Sequence, residues 1–145
     1  MQRSCRAMPF VAVAVLLLSA CGRLWDRPDP EGDPVVLNPS EVTTTWVDAE
    51  GGSLTLKPDG TFTADHACGA WSPVPTGNWD EPQSGKGTWT QDDASKQTGV
   101  QASFGADGPS TSYAALRRGN ILMLWTPVGD PDHDDPHCIL TSPAP

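Results

Sequence analysis

Basic residues are scarce in this chain of 145 residues. Nine lysines and arginines stand against 18 aspartates and glutamates, which gives a formal net charge of −9 at pH 7. A surface this acidic repels phosphate backbones and anionic lipid head groups. The composition therefore argues against nucleic acid as a partner and against an electrostatic membrane patch.

Histidine is also scarce, which limits the catalytic sites that the chain can build. The only histidines are His66, His133 and His137, and no serine stands in a G-x-S-x-G motif. Nucleophilic catalysis needs a serine or cysteine beside a base and an orienting acid. We interpret His66, which directly follows Asp65, as a residue at the end of a predicted strand. We therefore expect neither an enzyme nor a bound cofactor.

Long uninterrupted helical segments are missing as well. The chain has 14 glycines and 15 prolines, a frequency that interrupts helices and suits short strands joined by turns. Its length accommodates one domain with a core. Eight short strands with alternating apolar residues are predicted, at residues 42–47, 53–57, 61–65, 86–91, 99–104, 112–117, 121–126 and 137–141.

Successive strands joined by short turns predict an antiparallel meander. The segment Lys57-Pro58-Asp59-Gly60 between the second and third strands is a strong hairpin signal. A meander of this kind must close on itself or pack as two layers to bury its apolar face. The sequence thus predicts an all-β domain over residues 40–145, folded as a small barrel or a sandwich.

The first 20 residues have the layout of a signal peptide. Arg3 and Arg6 precede an uncharged stretch, in which residues 10–18 form the apolar region. This stretch is shorter than the ~20 apolar residues that a membrane-spanning helix needs, and polar, proline-rich sequence follows it. We therefore expect residues 1–20 to be removed after export.

The end of this segment resembles the lipobox of bacterial lipoproteins, because Leu18-Ser19-Ala20-Cys21 places small residues directly before a cysteine. The resemblance implies cleavage before Cys21, acylation of its sulfur, and attachment to the extracytoplasmic face of the cell membrane through that lipid. An ordinary signal peptide cut nearby is the alternative. Residues 21–39 are acidic and rich in proline, and we expect them to form an extended, solvated tether.

Two cysteines remain for the mature domain. Cys5 lies in the signal peptide and Cys21 is the expected lipid site, which leaves Cys68 and Cys138. In an oxidising compartment a remaining pair is expected to form a disulfide, with two free thiols as the alternative. The bond would link the region after the third predicted strand to the last strand.

Four short motifs resemble a pattern of small exported lipoproteins of actinobacteria. They are Thr45-Trp46, GGSLTL at residues 51–56, DGTF at residues 59–62 and GTWT at residues 87–90. The resemblance covers roughly residues 40–140. It implies a lipocalin-like β-meander, and most proteins of this kind have no assigned activity.

The segment before the last predicted strand gathers carboxylates and imidazoles. Asp130, Asp132 and Asp134 alternate as they do at the start of a calcium loop, but the sixth position of that loop lacks its glycine. His133 and His137 together with an aspartate would suit zinc or copper. We expect a solvated acidic hairpin without a tight metal site, with these two metal sites as alternatives.

Tryptophan is frequent for a domain of this size, and most of these rings are expected in the core. Trp71 and Trp79 are different, because they fall in a predicted long loop over residues 68–83. Exposed aromatic side chains on a loop favour contact with a partner. They are our candidate binding residues, and capping of the barrel mouth is the alternative.

These observations predict a membrane-anchored binding or envelope-structural module. It would contact the membrane through the lipid on Cys21, and its expected partner is an envelope protein. The alternative is a lipocalin-like carrier of a small apolar ligand. Residues 121–125, with the sequence ILMLW, are apolar on both faces of one strand. Either the core is crowded, or another part of the chain or a partner covers one face of this strand. A filled interior would favour the module, and an open apolar cavity would favour the carrier.

Overall fold

The structure is a computed structural model that describes residues 29–73, 80–93, 96–129 and 137–143. The predicted signal peptide, Cys21, Trp79 and residues 130–136 lie outside the described residues. Within the described ranges, no helix has both the length and the apolar character needed to cross a membrane.

The described residues form nine strands and one short helix. In chain order these are β1 (Asp33–Pro34), α1 (Pro39–Val42), β2 (Thr45–Val47), β3 (Ser53–Leu56), β4 (Thr61–Ala67), β5 (Gln83–Asp92), β6 (Gly99–Ser103), β7 (Ser110–Arg118), β8 (Ile121–Pro127) and β9 (His137–Pro143).

Eight of these strands close into an antiparallel barrel. Strands β2 to β9 pair in the order in which they follow along the chain, and β9 also pairs with β2. Strands β3 and β6 have their buried side chains at alternating positions, as the iBiB pattern of β3 illustrates. The predicted all-β meander is confirmed, and the closure between β2 and β9 makes it a barrel and not a sandwich.

The turn between β3 and β4 forms as its sequence predicts. Lys57 and Thr61 are joined by a backbone hydrogen bond of 2.9 Å, and Gly60 adopts a φ of 80° that favours glycine. The carboxylate of Asp59 accepts hydrogen bonds from the hydroxyl and the N–H of Thr61. These bonds hold the pKa of Asp59 below its usual value. The turn is thus fixed by its own four residues and by the first residue of β4.

The first predicted strand is shorter than expected, because a helical turn precedes it. The side chain of Asn38 caps α1, and the Glu41 carboxylate accepts a hydrogen bond of 2.9 Å from the N–H of Asn38. Pro39 occupies the start of the helix, where its missing N–H costs nothing. Only the second half of the predicted strand 42–47 is therefore extended, as β2.

Residues 33–37, which the sequence assigns to the tether, pack against the barrel. Pro34 lies opposite Leu116 in the pairing of β1 with β7. The N–H of Leu37 donates to the hydroxyl of Thr98 at 2.9 Å, and Leu37 is buried. A two-residue strand carries no periodic pattern, so the sequence did not reveal it. The folded part of the chain begins before residue 40.

Large apolar side chains occupy the barrel interior. Trp46, Trp71, Tyr113 and Phe62 are the largest of them, and each is at most 2% exposed. Trp46 donates its indole N–H to the carbonyl of Val42 at 3.0 Å, so burial leaves that polar group satisfied. The smaller buried members of the same core include Leu37, Leu54, Leu56, Val100, Ala102, Leu122, Leu124 and Leu140.

One apolar patch on the outer surface of the barrel is covered by the N-terminal segment. Met123 lies opposite Leu116 on neighbouring strands, and both side chains are nearly fully buried although neither belongs to the interior core. A Cβ atom at Gly32 would lie only 2.8 Å from the terminal methyl group of Met123. The close approach of Gly32 explains why β8 is apolar on both faces: one face lines the core and the other is covered.

Gly87 on β5 and Gly99 on β6 give a matched test of the side-chain packing in the barrel. Gly87 lies opposite Phe62, and an added Cβ would lie 2.1 Å from the carbonyl oxygen of Ser103 and 2.6 Å from the Phe62 ring. At Gly99 the nearest atom to an added Cβ is 3.5 Å away. We expect Gly87→Ala to lower the free energy of unfolding by about 1–3 kcal/mol. Gly99→Ala should leave it unchanged or slightly raised, by at most about 1 kcal/mol. Urea unfolding followed by tryptophan fluorescence measures both, and equal effects of the two substitutions would contradict the packing described.

Candidate functional site

The two ends of the barrel differ in charge. We call the end that carries the β2–β3, β4–β5, β6–β7 and β8–β9 connections the disulfide end. In the described parts of these connections there are acidic side chains but no lysine or arginine. Three of the described basic residues, Lys57, Lys96 and Arg118, lie at or next to connections of the opposite end.

A disulfide joins Cys68, which follows β4, to Cys138 on β9, with 5.6 Å between the two Cα atoms. The predicted pairing is confirmed. The bond lies where the barrel wall is weakest in hydrogen bonds, because β2 reaches β9 only at the pair Val47 and Thr141. The disulfide therefore closes the barrel beyond the point at which the short β2–β3 hairpin ends.

Asp48 connects that hairpin to the disulfide. One oxygen of its carboxylate accepts from the N–H groups of Glu50 and Gly52, at 3.0 and 2.7 Å. The other oxygen accepts from the N–H of Cys68 at 3.3 Å. A Cβ at Gly52 would overlap the carbonyl oxygen of His66, so only glycine fits there. An aspartate before a turn that ends in glycine is a recognisable signal, and our sequence analysis missed it.

Tyr113 holds the other side of Cys68. Its hydroxyl donates to the carbonyl oxygen of Cys68 at 2.7 Å. Burial raises the pKa of Tyr113 above its usual value, and the negative charge of Asp48 adds to this effect. The phenol is therefore neutral and serves as a hydrogen-bond donor.

Trp71 packs beside Tyr113 and is completely buried. Its ring lies 5.0 Å from that of Phe104 and 6.5 Å from that of Tyr113, measured between centroids. Its indole N–H donates to the carbonyl of Ala67 at 3.0 Å. The ring of Trp71 is therefore part of the packed core and not on the surface. Trp79, the second candidate, lies outside the described residues.

A cleft of about 370 Å³ opens beside the disulfide, which borders it. Acidic side chains on its rim come from the β2–β3 turn and from the residues before β5, and its apolar walls come from β9 and the residues after β8. The side chains that line it include Asp48, Glu50, Asp80, Pro82, Val128 and Ile139. Asp80 lies close to Gly129, where an added Cβ would be 3.3 Å from its carboxylate. The cleft brings together three chain segments that are remote in sequence.

His137 also lines this cleft. Its Nε2 atom is buried and has no hydrogen-bond partner in the described part of the chain, and the same holds for the indole nitrogen of Trp125. The two rings meet edge to face, 5.5 Å apart. Within the described ranges no group of three or more potential ligands is arranged to hold a metal ion. The other members of the acidic segment lie outside those ranges.

His66, the other histidine among the described residues, lies at the surface near the end of β4, as the sequence analysis expected. Its Nδ1 atom is 2.6 Å from the carboxylate of Asp65, and both side chains are about four-fifths exposed. The contact is therefore weak in energetic terms. A second cleft of about 250 Å³ lies on the outer surface of β5, β6 and β7, and Thr90, Gln101 and Ser112 are among the residues that line it.

Comparison with known proteins leaves the fold and the cleft as the basis for any functional argument. The chain matches no family model, no curated protein and no solved structure at a significant level.

The disulfide gives a direct stability test. Its cysteines are 70 residues apart, and a cross-link of this span stabilises by about 4 kcal/mol, mainly by restricting the unfolded chain. We expect the double variant Cys68→Ser/Cys138→Ser to lose about that amount in urea unfolding. Reductant should lower the stability of the native chain to a similar extent and leave the double variant unaffected. A double variant as stable as the oxidised native chain would contradict the proposed closure.

Tyr113 is the only tyrosine of the chain, so tyrosinate absorbance at 295 nm reports on it alone. Its pKa is raised in the folded state, so the stability that it contributes is present below the unfolded value of about 10 and is lost as pH rises above it. The folded chain should show no tyrosinate at pH 11, whereas the urea-unfolded chain should titrate near pH 10. Tyr113→Phe should lower stability at pH 7 by about 1 kcal/mol and abolish the signal. Titration of the folded chain near pH 10 would contradict the burial.

Proposed function

We propose that the chain is an extracytoplasmic lipoprotein, anchored through lipid on Cys21, whose barrel acts as a binding or envelope-structural module and not as an enzyme. The observation that carries the proposal is the disulfide between Cys68 and Cys138. Structural disulfides form and persist in oxidising compartments outside the cytoplasm. This agrees with the extracytoplasmic location that the lipobox-like motif at residues 18–21 implies.

The packed interior supports a surface function over ligand carriage. Carriers of the lipocalin type hold their ligand inside the barrel. Here the Phe104 ring lies 5.1 Å from that of Phe62 and 5.0 Å from that of Trp71, and Tyr113 packs against Trp71. The interior is thus occupied by the protein's own rings, and a ligand there would have to displace them. We therefore place the function on the outside of the barrel.

Lipid attachment can be tested on the full chain expressed in a bacterial host. Intact-mass analysis of the membrane fraction should show a chain that begins at Cys21 and carries a diacylglyceryl group. Cys21→Ser should abolish labelling by a radioactive fatty acid. The mass of the cleaved, lipid-carrying chain should be missing from the membrane fraction of this variant. The control Cys5→Ser should leave labelling intact. Retained label in the Cys21→Ser chain would contradict the anchor.

Native mass spectrometry of the same membrane-extracted chain distinguishes a binding or structural module from a carrier of a small apolar ligand. A small molecule that accompanies the chain reproducibly, and is lost on unfolding, would favour the carrier. A chain free of small molecules, or bound to a second protein, agrees with the module.

A further inference from the structure

The outer surface of the barrel is polar on one side and apolar on the other. In each strand, residues that alternate with the core residues point outwards. On β3 to β6 the outward residues are mostly threonine, serine and glutamine, and we call this side the polar flank; it includes Thr55, Thr63, Thr88, Thr90 and Gln101. On β2, β8 and β9 they are mostly apolar, and we call this side the apolar flank; it includes Val47, Ile121, Met123, Trp125 and Ile139.

The residues of the apolar flank are neighbours across the strands. Thr141 lies opposite Met123 on one side and opposite Val47 on the other. Trp125 lies opposite Ile139, one step further towards the disulfide end. The apolar flank is therefore a continuous surface that runs over three adjacent strands.

The exposed apolar side chains of the domain are gathered on this side. Among the described residues, the large hydrophobic side chains that remain exposed are Val36, Val47 and Ile121, at 48%, 41% and 41%. Two of them belong to the apolar flank. The third follows β1, which pairs with β7 directly next to β8. A cluster of exposed apolar residues on one side favours contact with an apolar partner, whereas a scattered distribution would not.

Negative charge avoids the same side of the barrel. The chain has a net charge of −9, yet β2, β7, β8 and β9 contain no aspartate or glutamate. On the polar flank, β4 and β5 carry Asp65 and Asp92. An anionic bilayer repels an acidic surface. The strands of the apolar flank therefore approach a bilayer with less repulsion than the strands of the polar flank.

The N-terminal segment reaches the barrel on the apolar flank. Gly32 lies against Met123, since an added Cβ would be 2.8 Å from the terminal methyl group of that side chain. The described chain begins at Asp29, and Cys21 shortly precedes it in the sequence. A few residues reach only a short distance even when they are extended. A lipid on Cys21 would therefore keep the bilayer near this side of the barrel.

We propose that the apolar flank lies on the lipid bilayer to which the chain is anchored, with Val47 and Ile121 in contact with the interface of head groups and acyl chains. The contact is apolar and uses no basic patch, which agrees with the acidic composition of the chain. An acyl anchor and a second contact together hold a domain more firmly than either alone. The inference rests on the proposed anchor and names the surface by which the barrel meets the membrane.

The test uses the full chain, extracted from bacterial membranes and reconstituted into vesicles of phosphatidylglycerol and phosphatidylethanolamine. The vesicles contain a phospholipid with a photoactivatable diazirine at the head-group end of one acyl chain. After illumination, mass spectrometry of peptide fragments locates the lipid adducts. We expect adducts on β2, β8 and β9 and none on β5 and β6. Adducts on the polar flank, or equal labelling of both flanks, would overturn the proposal.

Two matched double variants test the apolar contact itself. Val47→Glu/Ile121→Glu should lower the yield of adducts on the apolar flank about fivefold, because carboxylates resist transfer out of water. The control Thr88→Glu/Gln101→Glu places the same charges at exposed positions of the polar flank and should leave the yield unchanged. Urea unfolding checks that both variants are folded, and the adduct map of the native chain needs no substitution. An equal loss in both variants would contradict the assignment of the contact.

Two mass measurements separate this contact from its alternatives. Native mass spectrometry in detergent detects a second copy of the chain, and a dimer whose apolar flank takes up no lipid adducts would overturn the proposal. Intact mass reports on the anchor. A lipid-carrying chain without adducts on the apolar flank would overturn the contact alone, and a labelled chain without lipid on Cys21 would overturn the anchor alone. A chain with neither would overturn both.

Discussion

Closure of the barrel at the disulfide end is the constraint on which the rest of the structure depends. The β2–β3 hairpin is too short to reach β9 beyond one residue pair, so the wall there lacks a hydrogen-bonded ladder. Cys68 supplies what is missing through its bond to Cys138, its N–H to Asp48 and its carbonyl to Tyr113. One residue thereby ties the β2–β3 turn, strand β9 and the aromatic core together. The same short hairpin leaves room for the cleft beside the disulfide.

The aromatic interior follows from this arrangement. Cys68 and Trp71 lie only three residues apart, so the chain that is fixed by the disulfide also places the indole ring over Phe104 and Tyr113. Small residues make room for these rings. A Cβ at Gly69 would lie 2.8 Å from the Tyr113 hydroxyl. Binding inside such a packed barrel would require loss of these contacts.

The N-terminal segment makes the domain larger than a meander alone. It pairs with β7, covers Met123 and Leu116, and brings Glu41 within 2.9 Å of Arg117. Asp33 pairs with Arg117 near the end of β7, so the described chain enters the barrel at the end opposite to the disulfide.

The sequence by itself determined the all-β meander, the eight strands of the barrel and the Cys68–Cys138 pair, because alternation, turn residues and a lone cysteine pair are local or countable signals. Only the tertiary structure decided the rest. Burial of Trp71, pairing of β1 with β7, and the meeting of Glu50, Asp80 and Ile139 at one cleft depend on contacts between segments far apart in the chain. Alternation fixes which face of a strand is apolar. It does not fix where a strand ends relative to its neighbour, and that difference in length creates the cleft.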